Sequence, residues 1–231
     1  MAKKRLVIFT GAGVSAESGI KTFRDSGGLW EEFKIEDVAT PEAWNKNKEL
    51  VLHFYNQRRK QVMDAKPNAM HSFLADLQKT FDAHIITQNI DDLHERAGSK
   101  KVLHLHGEIM KARSSVYENL IYPLKKADIL LGEKCEKGSQ LRPHIVWFGE
   151  MVPEMENAYA IAEKADLFVV IGTSLNVYPA AGLLSYVSAY TPKWLIDPND
   201  FNLDYIKALK HIKQTAVNGV AELKIELMNI N

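Results

Sequence analysis

The stretch FTGAGVSAESGIKTFRDSGGLW, residues 9–30, decides the reading of the fold. It continues an apolar, strand-like run, LVIF, at residues 6–9. Within it, Gly11-Ala12-Gly13-Val14-Ser15-Ala16 matches GxGxxA directly after that strand. Glycines at such a turn let the backbone bend tightly and approach a phosphate, and the N–H groups of the next helix start can meet the anion. The stretch departs from an ordinary dinucleotide site in two ways. The helix that should follow breaks at Gly19, and a polar loop runs on to Gly27-Gly28. The acidic residue expected about 20 positions on, at the end of a second strand, has no strand to sit on. Glu31, Glu32 and Asp37 fall near that distance but in a helical context. A plain dehydrogenase therefore fits poorly.

Working outward, further short apolar runs read as buried strands at residues 83–87, 102–105, 167–171 and 194–196, with a weaker one at 212–217. Near-continuous runs of this kind suit a parallel sheet covered on both faces. Helical spacing lies between them, clearest at 68–80 (NAMHSFLADLQKT), then at 154–164, 179–190 and 220–228. Strands alternating with helices predict an α/β, doubly wound parallel sheet. Two stretches interrupt the alternation. Residues 20–67 hold two helical patterns and no strand, one opening at Thr40-Pro41 as N-cap and first helical position, the other running from about 47 to 64. Residues 108–143 are polar, lysine-rich and weakly patterned. Both read as insertions forming a small lobe on a single domain that spans residues 1–231.

Composition narrows the function classes. Lys plus Arg and Asp plus Glu both number 29, so the formal net charge is zero and favours neither nucleic acid nor a membrane surface as partner. The local cluster Arg58-Arg59-Lys60 reads as a solvated face. One cysteine, Cys135, allows no intramolecular disulfide and suits a reducing compartment. No apolar run reaches the roughly 18 residues that span a bilayer, and the charged start shows no signal peptide. The expectation is a soluble cytoplasmic protein.

Polar clusters follow several of the strands. In ITQNIDDLHERAG, Gln88, Asn89 and Asp91 sit at a strand's carboxyl end, where open α/β sheets bind ligands. Asn and Gln suit carboxamide and hydroxyl partners, although Asn89 or Asp91 can equally cap the next helix. In LHLHGE, His104 and His106 share one face of an extended segment. No third ligand of a zinc site accompanies them. His106, just before Gly107, can act as a general base near neutral pH. In IGTSLNVYPAAG, Gly172, Thr173 and Ser174 end another strand and suit a phosphate or a ribose.

GAGVSAESGIKTFR, TQNID, HLHG, IVWFGE and GTS occur together and in this order. Together they resemble the sirtuin family of NAD-dependent protein-lysine deacylases, over about residues 7–216. The resemblance implies a Rossmann-like domain with a small lobe made of two insertions. It implies NAD as cofactor, held by Gly11, Ala12, Gly13, Ser15, Glu17, Thr22, Phe23, Arg24, Gln88, Asn89, Ile90, Asp91, Gly172, Thr173 and Ser174. The long loop after the glycine turn would close over the nicotinamide ribose. His106 would be the catalytic base, with Asn89 and Asp91 beside it. The implied partners are acylated lysine side chains of proteins, with Val146, Phe148 and Val177 lining the acyl-lysine tunnel. The segment 149–152, including Gly149 and Glu150, would pair with the substrate backbone. The implied products are nicotinamide, 2'-O-acyl-ADP-ribose and free lysine.

A finer resemblance concerns the acyl group. Tyr55 and Arg58 are three apart on a helical pattern and share a face, with Ala39 upstream. This is similar to the sirtuin class that removes succinyl, malonyl and glutaryl groups, many members of which also remove acetyl. There, Tyr and Arg bind the distal carboxylate and a small residue widens the pocket. The competing reading packs Tyr55 in the lobe and leaves Arg58 solvated like Arg59. A mono-ADP-ribosyltransferase using the same NAD site is the alternative activity.

The sequence also departs from the family. Aligning on LRPHIVWFGE puts Ser114 and Tyr117, then roughly Lys134 and Lys137, where most sirtuins carry two Cys-x-x-Cys pairs. With Cys135 alone, no structural zinc is expected. Apolar Val116, Leu120, Ile121, Leu124, Ile129 and Leu130 are expected to hold the lobe instead. In LIDPND, Asp197 takes the place of an Asn that meets the adenine ribose, which disfavours a 2'-phosphate. Ala216 aligns with the family's adenine contact.

Overall fold

The apolar runs pair side by side. In the computed structural model, residues 2–21, 32–173, 180–201 and 206–230 are described. Among them, β1 (Arg5–Thr10), β2 (Asp82–Thr87), β3 (Val102–His104), β7 (Leu167–Ile171), β8 (Lys193–Ile196) and β9 (Leu209–Ile212) form one sheet in the order β3-β2-β1-β7-β8-β9. Every pairing in it is parallel. β4 (Gly107–Ser114), β5 (Ile121–Pro123) and β6 (Leu141–Ile145) form a separate antiparallel sheet in the order β5-β4-β6. The helices are α1 (Gly13–Ala16), α2 (Ile35–Val38), α3 (Pro41–Lys46), α4 (Lys48–Asp64), α5 (Ala69–Thr80), α6 (Leu93–Arg96), α7 (Met155–Ala162) and α8 (Val220–Met228).

Strand alternation divides the large core into two layers. Leu6, Ile8, Ile85, Val169 and Ile196 pack on one face with Met70 and Leu74 of α5 and Leu223 and Leu227 of α8. Val7, Phe9, Ile86, Phe168 and Val170 pack on the other with Met155, Ala158 and Ala162 of α7. Each Val, Leu, Ile, Phe or Met side chain among them, fully buried, contributes about 1.5–3 kcal/mol. A third cluster joins α3 and α4 to the small sheet through Trp44, Val51, Phe54, Ile109, Ala112 and Trp147.

Helix starts follow the cap chemistry. Thr40 accepts from the Ala43 N–H at 3.0 Å with Pro41 opening α3, and Asn47 accepts from Leu50 at 3.0 Å to open α4. Asn68 caps α5 and also donates to the Val14 carbonyl at 2.8 Å, tying that helix to the glycine turn.

The sheet reverses its winding between β1 and β7, and the two glycine-bearing ends meet there. Gly11 donates to the Ile171 carbonyl at 3.0 Å and Gly13 to the Gly172 carbonyl at 2.9 Å. A Cβ on Gly13 would lie 2.6 Å from the Gly172 Cα, and Gly172 itself has φ +60. Side chains are excluded here by backbone contact as well as by conformation.

Several expectations are corrected. The last strand lies at Leu209–Ile212, not 212–217, because its register with β8 ends at Ile196↔Ile212. The helical spacing at 179–190 yields a 3-10 helix over Ala180–Tyr186. The weakly patterned stretch at 108–143 contains the antiparallel strands β4 and β5 and most of β6.

Arg59 is not solvated but fully buried. Its Nε donates to the Ile109 carbonyl at 2.7 Å, and its Nη1 donates to Asn56 Oδ1 at 2.9 Å and to the Ala127 carbonyl. Burial pushes this guanidinium down to about 10, against the pull of Asp128. Asn56 in turn bonds both the N–H and the carbonyl of Ile129 at 3.0 Å. Helix α4 is thus bolted to the small sheet by polar contacts. Of the apolar residues expected to do this, Ile129 is buried and Leu124 packs on the cluster, whereas Val116, Ile121 and Leu130 are exposed.

Candidate active site

The carboxyl ends of the parallel strands open into a cleft of ≈ 850 Å³ shared with the small lobe. Gly11, Ala12, Gly13, Ser15 and Glu17 enter it after β1, and Gln88, Asn89, Ile90 and Asp91 after β2. His106 enters between β3 and β4, Gly172 and Thr173 after β7, Asp197 after β8 and Ala216 after β9. Ala39, Tyr55, Arg58, Val146, Phe148, Gly149 and Glu150 complete it from the lobe side. The topology therefore brings all of these expected residues into one cavity. Thr22, Phe23, Arg24, Ser174 and Val177 lie outside the described residues.

A hydrogen-bond network fixes the floor. Ser15 Oγ donates to Asp91 Oδ2 at 3.0 Å and accepts from Asn89 Nδ2 at 3.1 Å. The Asn89 N–H donates to Thr87 Oγ1 at 3.0 Å, and Gln88 Nε2 donates to Thr173 Oγ1 at 2.9 Å. The N-cap of α6 is Asp92, which makes no side-chain cap bond, while Asp91 just before it accepts the Leu93 N–H on Oδ1 at 3.2 Å. One carboxylate thus serves the helix start and the cleft together. Burial pushes Asp91 above the usual carboxylate range, against the hydrogen bonds from Leu93 and Ser15.

The two histidines have different surroundings. His106 Nδ1 lies 2.9 Å from the Gln88 carbonyl oxygen, which can only accept. The proton therefore sits on Nδ1, and Nε2 keeps its lone pair. Burial lowers the His106 pKa, opposed by that same bond, so the ring is neutral and basic at neutral pH. His104 places Nδ1 2.9 Å from the Asn89 carbonyl and Nε2 2.8 Å from Glu95 Oε1. Burial disfavours the charged His104 ring, yet the Glu95 carboxylate and the Asn89 carbonyl outweigh it, and its pKa is raised. His104 orients Asn89 from behind while His106 faces the cleft.

At the lobe end, Tyr55 is buried, its pKa pushed up to about 12 by desolvation against the charge of Arg58. Arg58 lies half-buried, its guanidinium carbon 5.7 Å from the Phe54 ring centre, its pKa lowered by burial and raised by Tyr55 and Asp91. Glu150 turns its side chain into the lobe. Its carboxylate is held by Arg142 at 2.7 and 3.1 Å, by Arg113 at 3.3 Å and by the Trp147 N–H at 2.7 Å. The side chain is thus committed to its own lobe, and only the surrounding backbone can serve a substrate strand. Trp147 and Arg142 were not singled out from the sequence. Trp147 lies within IVWFGE, and an indole beside FGE was the signal available.

At the opposite end, Glu17 accepts from Thr215 Oγ1 at 3.1 Å and from the Val217 N–H at 2.8 Å, locking the Ala216 loop against the glycine turn. Asp197 Oδ1 accepts from both the Asn199 N–H at 3.0 Å and Nδ2 at 2.8 Å. That carboxylate is half occupied by its own turn.

Where zinc would sit, the side chains serve one another. Cys135 Sγ donates to Ser114 Oγ at 3.4 Å, and that oxygen accepts from the Val116 and Tyr117 N–H groups. Lys137 Nζ lies 4.4 Å from the centre of the Tyr117 ring. A hydroxyl, a phenol and lysines beside one thiol do not fit a tetrahedral zinc.

Comparison with known proteins bears on this cleft. The family model described as Sir2 family matches residues 11–179. The chain is 52% identical over 226 residues to an NAD-dependent protein deacylase of Bacteroides thetaiotaomicron, covering 96% of this chain and 97% of the relative. It is 48% identical over 227 residues to one of Helicobacter pylori, covering 98% and 99%. A solved Sir2 homolog–NAD complex superposes with a TM-score of 0.88 at 40% identity, covering 99% of this chain and 91% of that one. A Sir2 complex with a deacetylated peptide and 3'-O-acetyl-ADP-ribose superposes with a TM-score of 0.82 at 30% identity, covering 97% and 94%.

Proposed function

The chain belongs to the Sir2 family and is an NAD-dependent protein deacylase, and from that premise we propose that it preferentially removes succinyl and malonyl groups from lysine. One observation carries this reading: Tyr55 and Arg58, with small Ala39 beside them, line the same cleft as His106. A fork-shaped cation and a phenol at the blind end of an acyl pocket match a distal carboxylate. An acetyl group carries no distal carboxylate for them to bind.

The donor set along the rest of the cleft fits NAD. The turn at Gly11 and Gly13 carries no Cβ at the sheet's switch point, and Gln88, Asn89, Thr173 and Asp197 offer amide, hydroxyl and carboxylate partners to a dinucleotide. When bound, NAD supplies an electrophilic ribose carbon and a nicotinamide leaving group. In this reading Asn89 and Asp91, braced by Ser15, orient the ribose and carboxamide. His106 takes a proton from a ribose hydroxyl on Nε2, and the Gln88 carbonyl stabilises the imidazolium that forms. The buried wall at Ile145 keeps water away from the reacting carbon.

The test is NAD-dependent turnover of matched acetyl-, malonyl-, succinyl- and glutaryl-lysine peptides, with products identified by mass spectrometry. Higher kcat/KM on succinyl and malonyl than on acetyl supports the proposal. A preference for acetyl overturns it, and ADP-ribosylated protein in place of acyl-ADP-ribose would indicate transferase activity instead.

A further inference from the structure

Residues 145–150 touch every part of the acyl end of the cleft. The Val146 N–H donates to the His106 carbonyl at 3.0 Å, and the Phe148 N–H to the Ala39 carbonyl at 3.0 Å. Between them, the buried Trp147 ring stands 6.5 Å from Tyr55 and 5.7 Å from Trp44, centre to centre. Arg142 lies over the same ring, its guanidinium carbon 3.2 Å from the ring centre.

Arg142 is itself pinned. Nη1 donates to Glu150 Oε1 at 2.7 Å, and Nη2 donates to Glu150 Oε2 at 3.1 Å and to the Ile145 carbonyl at 3.0 Å. Glu150 closes the loop by accepting the Trp147 N–H at 2.7 Å. A buried ion pair of this sort is weak evidence for stability, because well-packed apolar residues often do as well. What the fork adds is a fixed plane against which a ring can lie.

We propose that Arg142 is a positioning residue for acyl selectivity. Held by Glu150, it sets the plane of Trp147, and Trp147 sets the ring of Tyr55 against the distal carboxylate. This rests on the carboxylate reading given above. Glu150 also directs its charge at Arg142 and Arg113, while Arg58 lines the cleft from α4. An acetyl group, which ends short of Tyr55, does not sense the arrangement.

The experiment is a double-mutant cycle on the full chain, with acetyl- and succinyl-lysine peptides as substrates. Arg142→Lys keeps the charge but loses the fork and the stacking plane. Its KM for succinyl peptide should rise about tenfold more than for acetyl peptide, with kcat moving far less. Combined with Tyr55→Phe, the succinyl losses should overlap rather than add, since the two act on one contact. Glu150→Gln, which keeps the side-chain shape, should shift selectivity the same way and serves if Arg142→Lys melts early. Equal loss on both substrates, or additivity with Tyr55→Phe, overturns the proposal. A wild-type enzyme with no activity on succinyl peptide overturns it together with the carboxylate reading. Wild-type activity on succinyl peptide that Arg58→Met removes and Arg142→Lys leaves unchanged overturns the positioning role alone.

Discussion

His106 Nδ1 lies 2.9 Å from the carbonyl oxygen of Gln88, so one backbone atom of the loop after β2 sets the tautomer of the proposed base. Burial disfavours the imidazolium, and the ring stays neutral to a lower pH than an exposed histidine would. The base form is competent, so activity is full above this lowered pKa and is lost as pH falls through it. The acid limb of kcat/KM should lie below the ordinary histidine value of about 6.5. His106→Ala should remove the limb along with at least about 99% of turnover. An acid limb above that value would contradict the assignment.

Arg58→Met keeps an unbranched apolar side chain and removes the fork, including the guanidinium carbon 5.7 Å from the Phe54 ring centre. It should lower kcat/KM for succinyl peptide by about 100-fold, the cost of a charge-assisted pair, while acetyl peptide changes by less than about threefold. Steady-state kinetics on both peptides decides this, and parallel losses would rule out the carboxylate clamp.

Arg59 and Lys60 are adjacent on α4 yet should respond very differently. Arg59→Met leaves the Ile109 and Ala127 carbonyls and Asn56 without their donor, which should cost about 3 kcal/mol. Lys60 pairs with Asp128 at 3.2 Å in the open, and Lys60→Ala should stay within about 0.5 kcal/mol. Urea unfolding of the two variants measures both.

Gly13→Ala places a methyl group 2.6 Å from the Gly172 Cα, a backbone atom that cannot rotate away. Separation of β1 from β7 at the switch point should cost about 1–3 kcal/mol and weaken NAD binding with it. Calorimetric titration with NAD and a thermal melt, run side by side, would show whether the two losses occur together.

Ser114, Tyr117 and Cys135 already satisfy one another, so a chelator should leave Tm unchanged and elemental analysis should find far less than one zinc per chain. A chelator-induced fall in Tm would reverse this reading.

What the sequence determined by itself was local. Short apolar runs predicted five of the six strands of the parallel sheet, the cap at Thr40 with Pro41 predicted a helix start, and the glycines at 11 and 13 predicted the turn. The residues proposed for the NAD site follow from the same logic, because they trail the strands and a parallel sheet gathers its carboxyl ends on one side. Tertiary structure decided whatever depended on partners far along the chain. Arg58 and Arg59 are neighbours in a basic run, yet the rotation of about 100° between successive helix residues sends the first to the cleft and the second into carbonyls 50 and 68 residues away. Glu150 reads as a polar residue of a substrate strand until Arg142 and Arg113 arrive from the antiparallel sheet. Short-range rules carry period, capping and turn chemistry. They carry no information about which distant carbonyl or guanidinium closes on a side chain, and that closure is settled only when the sheets pair.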